Sequence, residues 1–210
     1  MIRRNRPLML CVVILFFIQA PGNAEVLSPR AALQGPIDGI IEVLNDPAYK
    51  TPDQRANQRN KIWEIASPMF DFQEISRLSV GKPWTEFSEQ EKVRFTEVFS
   101  QFFGATYIDK LQGEYHNEKI NIGKELIKGN RALVRTKLLR ESTEIALDFR
   151  MKQIGDQWKI YDVLVEDGVS LVKNYRVQFS SELQKLSPAQ LIEKLEKRLA
   201  EQQPLSGISK

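Results

Sequence analysis

The hydrophobic period of this chain changes twice, and no other feature constrains its fold as much. Up to about Gln112 apolar residues recur at helical spacing, from 119 to 166 they alternate, and after Gly168 the helical spacing returns. A helix brings positions 3.6 apart onto one face and a strand brings positions two apart, so neither pattern serves the other structure. Helices, then a meander of strands, then helices again predict an α+β domain with helices packed on one face of an antiparallel sheet.

The helical stretches carry their own punctuation. Ser28-Pro29 is an N-cap followed by proline, and Leu33, Ile37, Ile40, Ile41 and Leu44 follow at helical spacing. Gly35-Pro36 should bend or restart this helix, and Asp46-Pro47 should end it. Thr51-Pro52 opens a second helix, closed by Ser67-Pro68, and Asp71 caps a short third that stops at Gly81. Ser88-Glu89-Gln90-Glu91 is a capping box that starts a long helix. That helix carries Val93, Phe95, Val98, Phe99, Phe102, Phe103, Tyr107, Ile108 and Leu111. Beyond Gly168, Val172, Tyr175, Phe179, Leu183 and Leu186 form one stripe, and Ser187-Pro188 starts a final helix.

Residues 119–127, 131–140, 144–154 and 157–166 read as four strands. A two-residue Ser142-Thr143 loop pairs Leu138 with Leu147, Thr136 with Phe149 and Val134 with Met151, gathering the apolar residues on one face. Arg135, Lys137, Arg150 and Lys152 then share the other face, which is either simply solvated or able to dock a partner or attract anionic head groups. For the first hairpin a two-residue loop would turn Glu125 and Asn121 inward. A three-residue loop, Lys128 to Asn130, turns Ile120, Ile122 and Leu126 inward instead and predicts a bulged turn.

Arg3, Arg4 and Arg6 precede an uninterrupted apolar run of eleven residues, Leu8 to Ile18, and a short stretch ending Gly22-Asn23-Ala24. This is the pattern of a secretory signal peptide cut after Ala24. The alternative, a membrane anchor, needs about 20 apolar residues, and eleven span only about 17 Å as helix. Without residues 1–24 the charges balance at 27 basic against 27 acidic, so net charge gives no argument for nucleic-acid binding. Cys11, the only cysteine, leaves with the leader, so the remaining 186 residues have no thiol, disulfide or cysteine-based metal site. The organisation expected is a leader over 1–24, one domain over 25–202 and a flexible tail over 203–210.

Few residues point to chemistry. His116 is the only histidine and lies in a polar connector, where a surface role is expected rather than that of a base or ligand. No GxSxG, HExxH, Walker or GxGxxG pattern is present. Asp162 stands out. A two-residue Gly155-Asp156 turn pairs Met151 with Ile160 and Phe149 with Asp162, which aims this carboxyl at the apolar face. It is then either a general base with a raised pKa or a buried acid bonded to backbone or paired with Arg77 or Arg176. The aromatic stripe of the long helix is either solid core or the lining of a hydrophobic cavity.

Two segments carry a family resemblance. One is Phe70-Asp71-Phe72-Gln73-Glu74-Ile75-Ser76-Arg77-Leu78-Ser79-Val80-Gly81, followed by Trp84. The other is Trp158-Lys159-Ile160-Tyr161-Asp162-Val163, then Gly168-Val169-Ser170-Leu171-Val172-Lys173-Asn174-Tyr175-Arg176-Val177-Gln178-Phe179. With Thr106-Tyr107 and Leu111, these resemble the MlaC, or toluene-tolerance, family over residues 28–200. One departure is the pair Glu166-Asp167 where the family has a single acid before the glycine.

The resemblance implies a periplasmic, non-enzymatic carrier without cofactor or metal, with phospholipid as cargo. It implies a sheet and helices that enclose an apolar cavity, NTF2-like in outline. It also implies two partners, an inner-membrane MCE-domain/ABC transporter complex and an outer-membrane lipoprotein–porin complex. Inward periodicity and the resemblance together nominate Phe72, Leu78, Phe99, Phe103, Tyr107 and Leu147 as lining, with Phe149, Met151, Val169, Tyr175 and Phe179. Arg77 and Arg176 are candidates for the rim or for pairing with Asp162. Two rivals are an enzyme of ketosteroid-isomerase-like fold using Asp162 as base, and an adaptor whose apolar interior is solid. A sterol-like lipid such as a hopanoid is an alternative cargo.

Overall fold

The computed structural model describes residues 27–140 and 143–202. The expected leader and tail lie outside them, as does Ser142 of the expected loop. The helices are α1 (Pro29–Asn45), α2 (Arg55–Ala66), α3 (Phe72–Val80), α4 (Glu89–Glu114), α5 (Leu171–Leu183) and α6 (Pro188–Glu201). The strands are β1 (Lys119–Lys128), β2 (Arg131–Leu139), β3 (Glu144–Ile154), β4 (Gln157–Val165) and the two-residue β5 (Val169–Ser170). They form one antiparallel sheet in chain order, so the expected four-stranded meander gains a short fifth strand.

Local chemistry explains most boundaries. The Ser28 side chain accepts from Ala31 N–H at the start of α1, and Ser88 and Glu91 complete the capping box of α4. Asp71 caps α3, and Gly81, at φ 75°, ends it. The expected break at Gly35-Pro36 does not occur. Pro36 sits inside an unbroken α1, whose buried Leu33, Ile37, Val43 and Leu44 hold it against the body while one helical hydrogen bond is forgone.

The sheet registers differ from expectation in instructive ways. In the first hairpin Ile120 pairs with Leu138 and Ile122 with Thr136, as expected, but the irregularity falls between Ile122 and Glu125 rather than at the turn. Below it Glu125 pairs with Val134, Leu126 with Leu133 and Lys128 with Arg131 across a two-residue turn. Glu125 thus turns to the core side, where it accepts from Arg30 N–H at the start of α1, and Leu126 turns outward, 50% exposed. The helix N-terminus supplies the partner that an inward carboxylate needs. In the second hairpin Val134 pairs with Phe149 and Leu138 with Ile145, a slip of two residues from the expected pairing. A slip of two preserves the face, so the apolar side is the one expected.

The third hairpin pairs Met151 with Ile160 as expected, and a bulge at Tyr161 then sets Asp162 opposite Arg150 and Val163 opposite Phe149. Val163, not Asp162, therefore continues the apolar face. The extra acid before Gly168 is taken up at the strand end. Glu166 has φ 48°, and Gly168, at φ 82°, turns the chain into β5.

The main core lies between the inner sheet face and α1, α3, α4, α5 and α6, with Phe95, Phe99, Phe179, Met151 and Ile160 fully buried. A smaller one joins Val43, Leu44, Ile62, Trp63, Ala105, Ile108 and Leu199. No helix among the described residues is long and apolar enough to cross a membrane.

Candidate functional site

The nominated lining residues converge on one cluster. Phe99, Phe103, Phe149, Met151, Tyr175 and Phe179 are buried in it, and Phe72, Leu78, Tyr107 and Leu147 pack against it, partly buried. Val169 does not belong. It lies on the edge strand β5, 46% exposed, because the tight turn at Gly168 places the inward position one residue later, at Ser170.

The long helix α4 supplies Phe95, Phe99, Phe103 and Tyr107 at four-residue spacing, so all four lie along one side of it. Phe99 is the hub, with ring centroids 4.9 Å from Tyr175 and 5.2 Å from Phe179 on α5, both edge-to-face. The rings continue beyond the nominated set. A file of contacts runs from Trp63 to Phe72, Phe70, Phe103, Phe99, Phe95, Phe87 and Trp84, each centroid within 6.2 Å of the next. Trp63, Phe70, Trp84, Phe87 and Phe95 lie outside the nominated set. Phe70, Trp84 and Phe87 lie between the long helices, outside any period, where only their size gives a signal, while Trp63 and Phe95 lie on helical faces read as core.

Within this apolar cluster the Tyr107 and Tyr175 phenols are close enough to shift each other's titration. Burial above all, and then the neighbouring Tyr107, push the Tyr175 phenol far above the usual tyrosine range. Burial also raises Tyr107, with the neighbouring Tyr175 opposing it. Both hydroxyls therefore stay neutral.

Where the cavity is expected, neighbouring rings stand close together, with centroids 5.4 Å apart for Phe95 and Phe99, 4.9 Å for Phe99 and Tyr175, and 4.6 Å for Phe103 and Tyr107. Two surface hollows among the described residues lie elsewhere. One of about 320 Å³ is lined by Leu44, Tyr49, Lys50, Gln112 and Tyr115 among others, and one of about 550 Å³ by Ile41, Asn45, Tyr115 and Ile120 among others. None of the nominated residues lines either hollow.

Asp162 is 4% exposed and sits at the N-terminus of α5. Its Oδ2 accepts from Arg150 Nη1 at 3.0 Å and Ser170 Oγ at 2.8 Å, and its Oδ1 from Val172 N–H at 3.2 Å. Ser170 Oγ in turn accepts from Lys173 N–H, so the two side chains together cap the helix. Both oxygens are occupied by structural partners and face a helix end, so no substrate-facing base is formed here. The ion-pair partner is Arg150, not Arg77 or Arg176, because the bulge carries Asp162 to the Arg150 side of the sheet.

Arg77 pairs instead with Glu74 on its own helix, and its hydrogen bond holds the Glu74 carboxyl below the usual range. Arg176 Nε donates to Leu78 O at 2.7 Å, supplying the last turn of α3 with a donor. His116 is exposed, with Nδ1 2.8 Å from Glu114 O, the surface role expected of it. Among the described residues no group of three His, Cys, Asp or Glu is placed to hold a metal.

A family model described as MlaC protein matches residues 34–197. Among solved structures, the phospholipid-binding protein from Ralstonia solanacearum in complex with a phospholipid is similar, with a TM-score of 0.70 and 20% identity over 83% of this chain and 98% of that one. No curated protein matches the chain. At that identity the solved structure shows the fold, while the family match spans most of the domain. The chain therefore belongs to the MlaC family, non-enzymatic phospholipid-binding proteins of the Mla transport system.

Proposed function

We propose that this protein is a periplasmic carrier that holds the acyl chains of a phospholipid along the file of rings between Trp63 and Trp84. In this reading it shuttles lipid between an outer-membrane lipoprotein–porin complex and an inner-membrane MCE-domain/ABC transporter. The observation that carries the reading is the file itself, eight aromatic rings in continuous contact from Trp63 to Trp84. The solved relative from Ralstonia solanacearum, which holds a phospholipid in the same fold, supports it.

The energetics favour opening a closed track. Two sixteen-carbon chains carry on the order of 28 methylenes, worth about 22 kcal/mol when shielded from water at ~0.8 kcal/mol each. Separating an aromatic pair forfeits about 0.5–1.5 kcal/mol. Parting several ring contacts therefore costs less than the chains regain, and closed rings keep an empty carrier from exposing apolar surface.

The test is native mass spectrometry of the protein from a periplasmic extract, followed by denaturing lipid analysis. The expected result is a stoichiometric mass addition that resolves to phospholipid. A protein that is bare, and still bare after incubation with liposomes, would overturn the carrier reading in favour of an adaptor with a solid core. A sterol-like addition would keep the carrier and replace the cargo.

A further inference from the structure

The outward face of the sheet carries an arrangement that strand stability disfavours. Lys128 lies directly opposite Arg131, Arg131 opposite Lys152, and Lys152 opposite Lys159. Four cations thus form one continuous row across β1, β2, β3 and β4. With strands about 4.8 Å apart the row spans about 14 Å. Like charges directly opposite each other destabilise a sheet. Among the described residues none of the four has an ion-pair partner. Lys159 Nζ donates to Pro68 O, and Arg131 lies over the Tyr161 ring at 5.1 Å. The acids nearby are few. Glu74 on α3 is held by Arg77 and also attracts Lys152 and Arg131 of the row, Asp156 lies in the β3–β4 turn, and Asp162 is buried against Arg150.

Apolar side chains flank the row on both sides. The next row inward from the turns begins Leu126, Leu133, with Leu126 50% exposed, and on the turn side Ile154 is 46% exposed. Both turns, Gly129-Asn130 and Gly155-Asp156, project from this same end of the sheet, tied together by Gln153 N–H to Asn130 O. A single phosphate would not need a row this wide, and a highly charged polymer would have no use for the flanking aliphatics. A flat anionic surface with an apolar interior just beneath it uses both.

We propose that this end of the sheet is a docking surface for an anionic bilayer, the Lys128–Arg131–Lys152–Lys159 row meeting headgroup phosphates while Leu126 and Ile154 enter the headgroup boundary. Each cation at such a surface contributes about a fivefold gain in partitioning at moderate ionic strength, and salt screens it.

The test is flotation of the purified protein with vesicles of phosphatidylcholine alone and with vesicles about one-third phosphatidylglycerol. Binding is expected only to the anionic vesicles and is expected to fall as salt rises. Lys128→Gln with Arg131→Gln should lower that binding about 25-fold, with a melting temperature equal to or above that of the parent because cross-strand repulsion is relieved. Leu126→Ser with Ile154→Ser should weaken binding while preserving its salt dependence, and Lys92→Gln on α4 should leave it unchanged. Equal binding to neutral vesicles, no response to salt, or no binding to either vesicle would overturn the proposal, the last pointing to an acidic protein partner. Should the double variants fail to fold, the salt and lipid dependence of the unaltered protein still decides. Cargo is scored by mass and docking by flotation, so failure of one is distinguishable from failure of the other.

Discussion

Replacing Asp162 with alanine would leave Arg150 without its ion-pair partner and Val172 N–H without its acceptor. A loss of about 3 kcal/mol is expected in denaturant unfolding, with Asp162→Asn losing less because its carbonyl can still accept. A base poised for catalysis would behave oppositely, surviving the substitution with its stability intact. The sequence does announce that position 162 is unusual, since strict alternation sets a carboxyl among apolar neighbours. It does not announce the bulge at Tyr161, because one inserted residue changes the geometry without changing the composition. The same holds for Arg150, which reads as one more outward cation until the register beyond the bulge is known. Tyr175→Phe is the second test at this scale. It removes the hydroxyl beside the partly buried Tyr107 and should cost about 1 kcal/mol while keeping the edge-to-face contact with Phe99.

Elements were legible wherever period and caps agreed. The capping box of α4, the helix start at Ser187-Pro188 and the apolar faces of β2 and β3 follow directly from residue types and spacing. The β2–β3 register was misread by two residues, and the face survived because only an odd slip reverses it. Leu126 was misplaced because the β1 irregularity lies within the strand, after Ile122, where no glycine–asparagine pair marks it as one marks the turn. The corner between α4 and β1 makes a pH-dependent prediction. Glu118 is buried there, and although burial raises its carboxyl, hydrogen bonds from His116 N–H and Arg140 prevail and hold it below the ordinary glutamate value of 4.5. A group lowered on folding stabilises the fold fully above its unfolded value and loses that contribution as pH falls through the lowered one. Glu118→Gln should therefore reduce stability most at neutral pH and flatten the acid side of the stability profile, measured by urea unfolding across pH.

For the molecule as a whole, the order of helices and strands was legible and the closure of the ring cluster was not. Periodicity says which side chains point inward, but whether facing walls meet depends on how closely helix and sheet approach, and no residue type records that distance. Phe99 is where the two questions meet. Phe99→Ala removes the hub of the file and should cost about 3–5 kcal/mol if the surrounding rings cannot collapse into the space. Phe99→Leu should keep most of that stability, and the comparison between them by thermal melting measures how rigid the closed track is.

Of the three tryptophans, Trp63 and Trp84 stand at opposite ends of that file. The molecule thus carries its own optical reporters of loading. Entry of acyl chains would change the surroundings of both indoles, and single Trp→Phe replacements would separate the two emissions. Their relative timing on mixing with lipid would tell from which end the track fills.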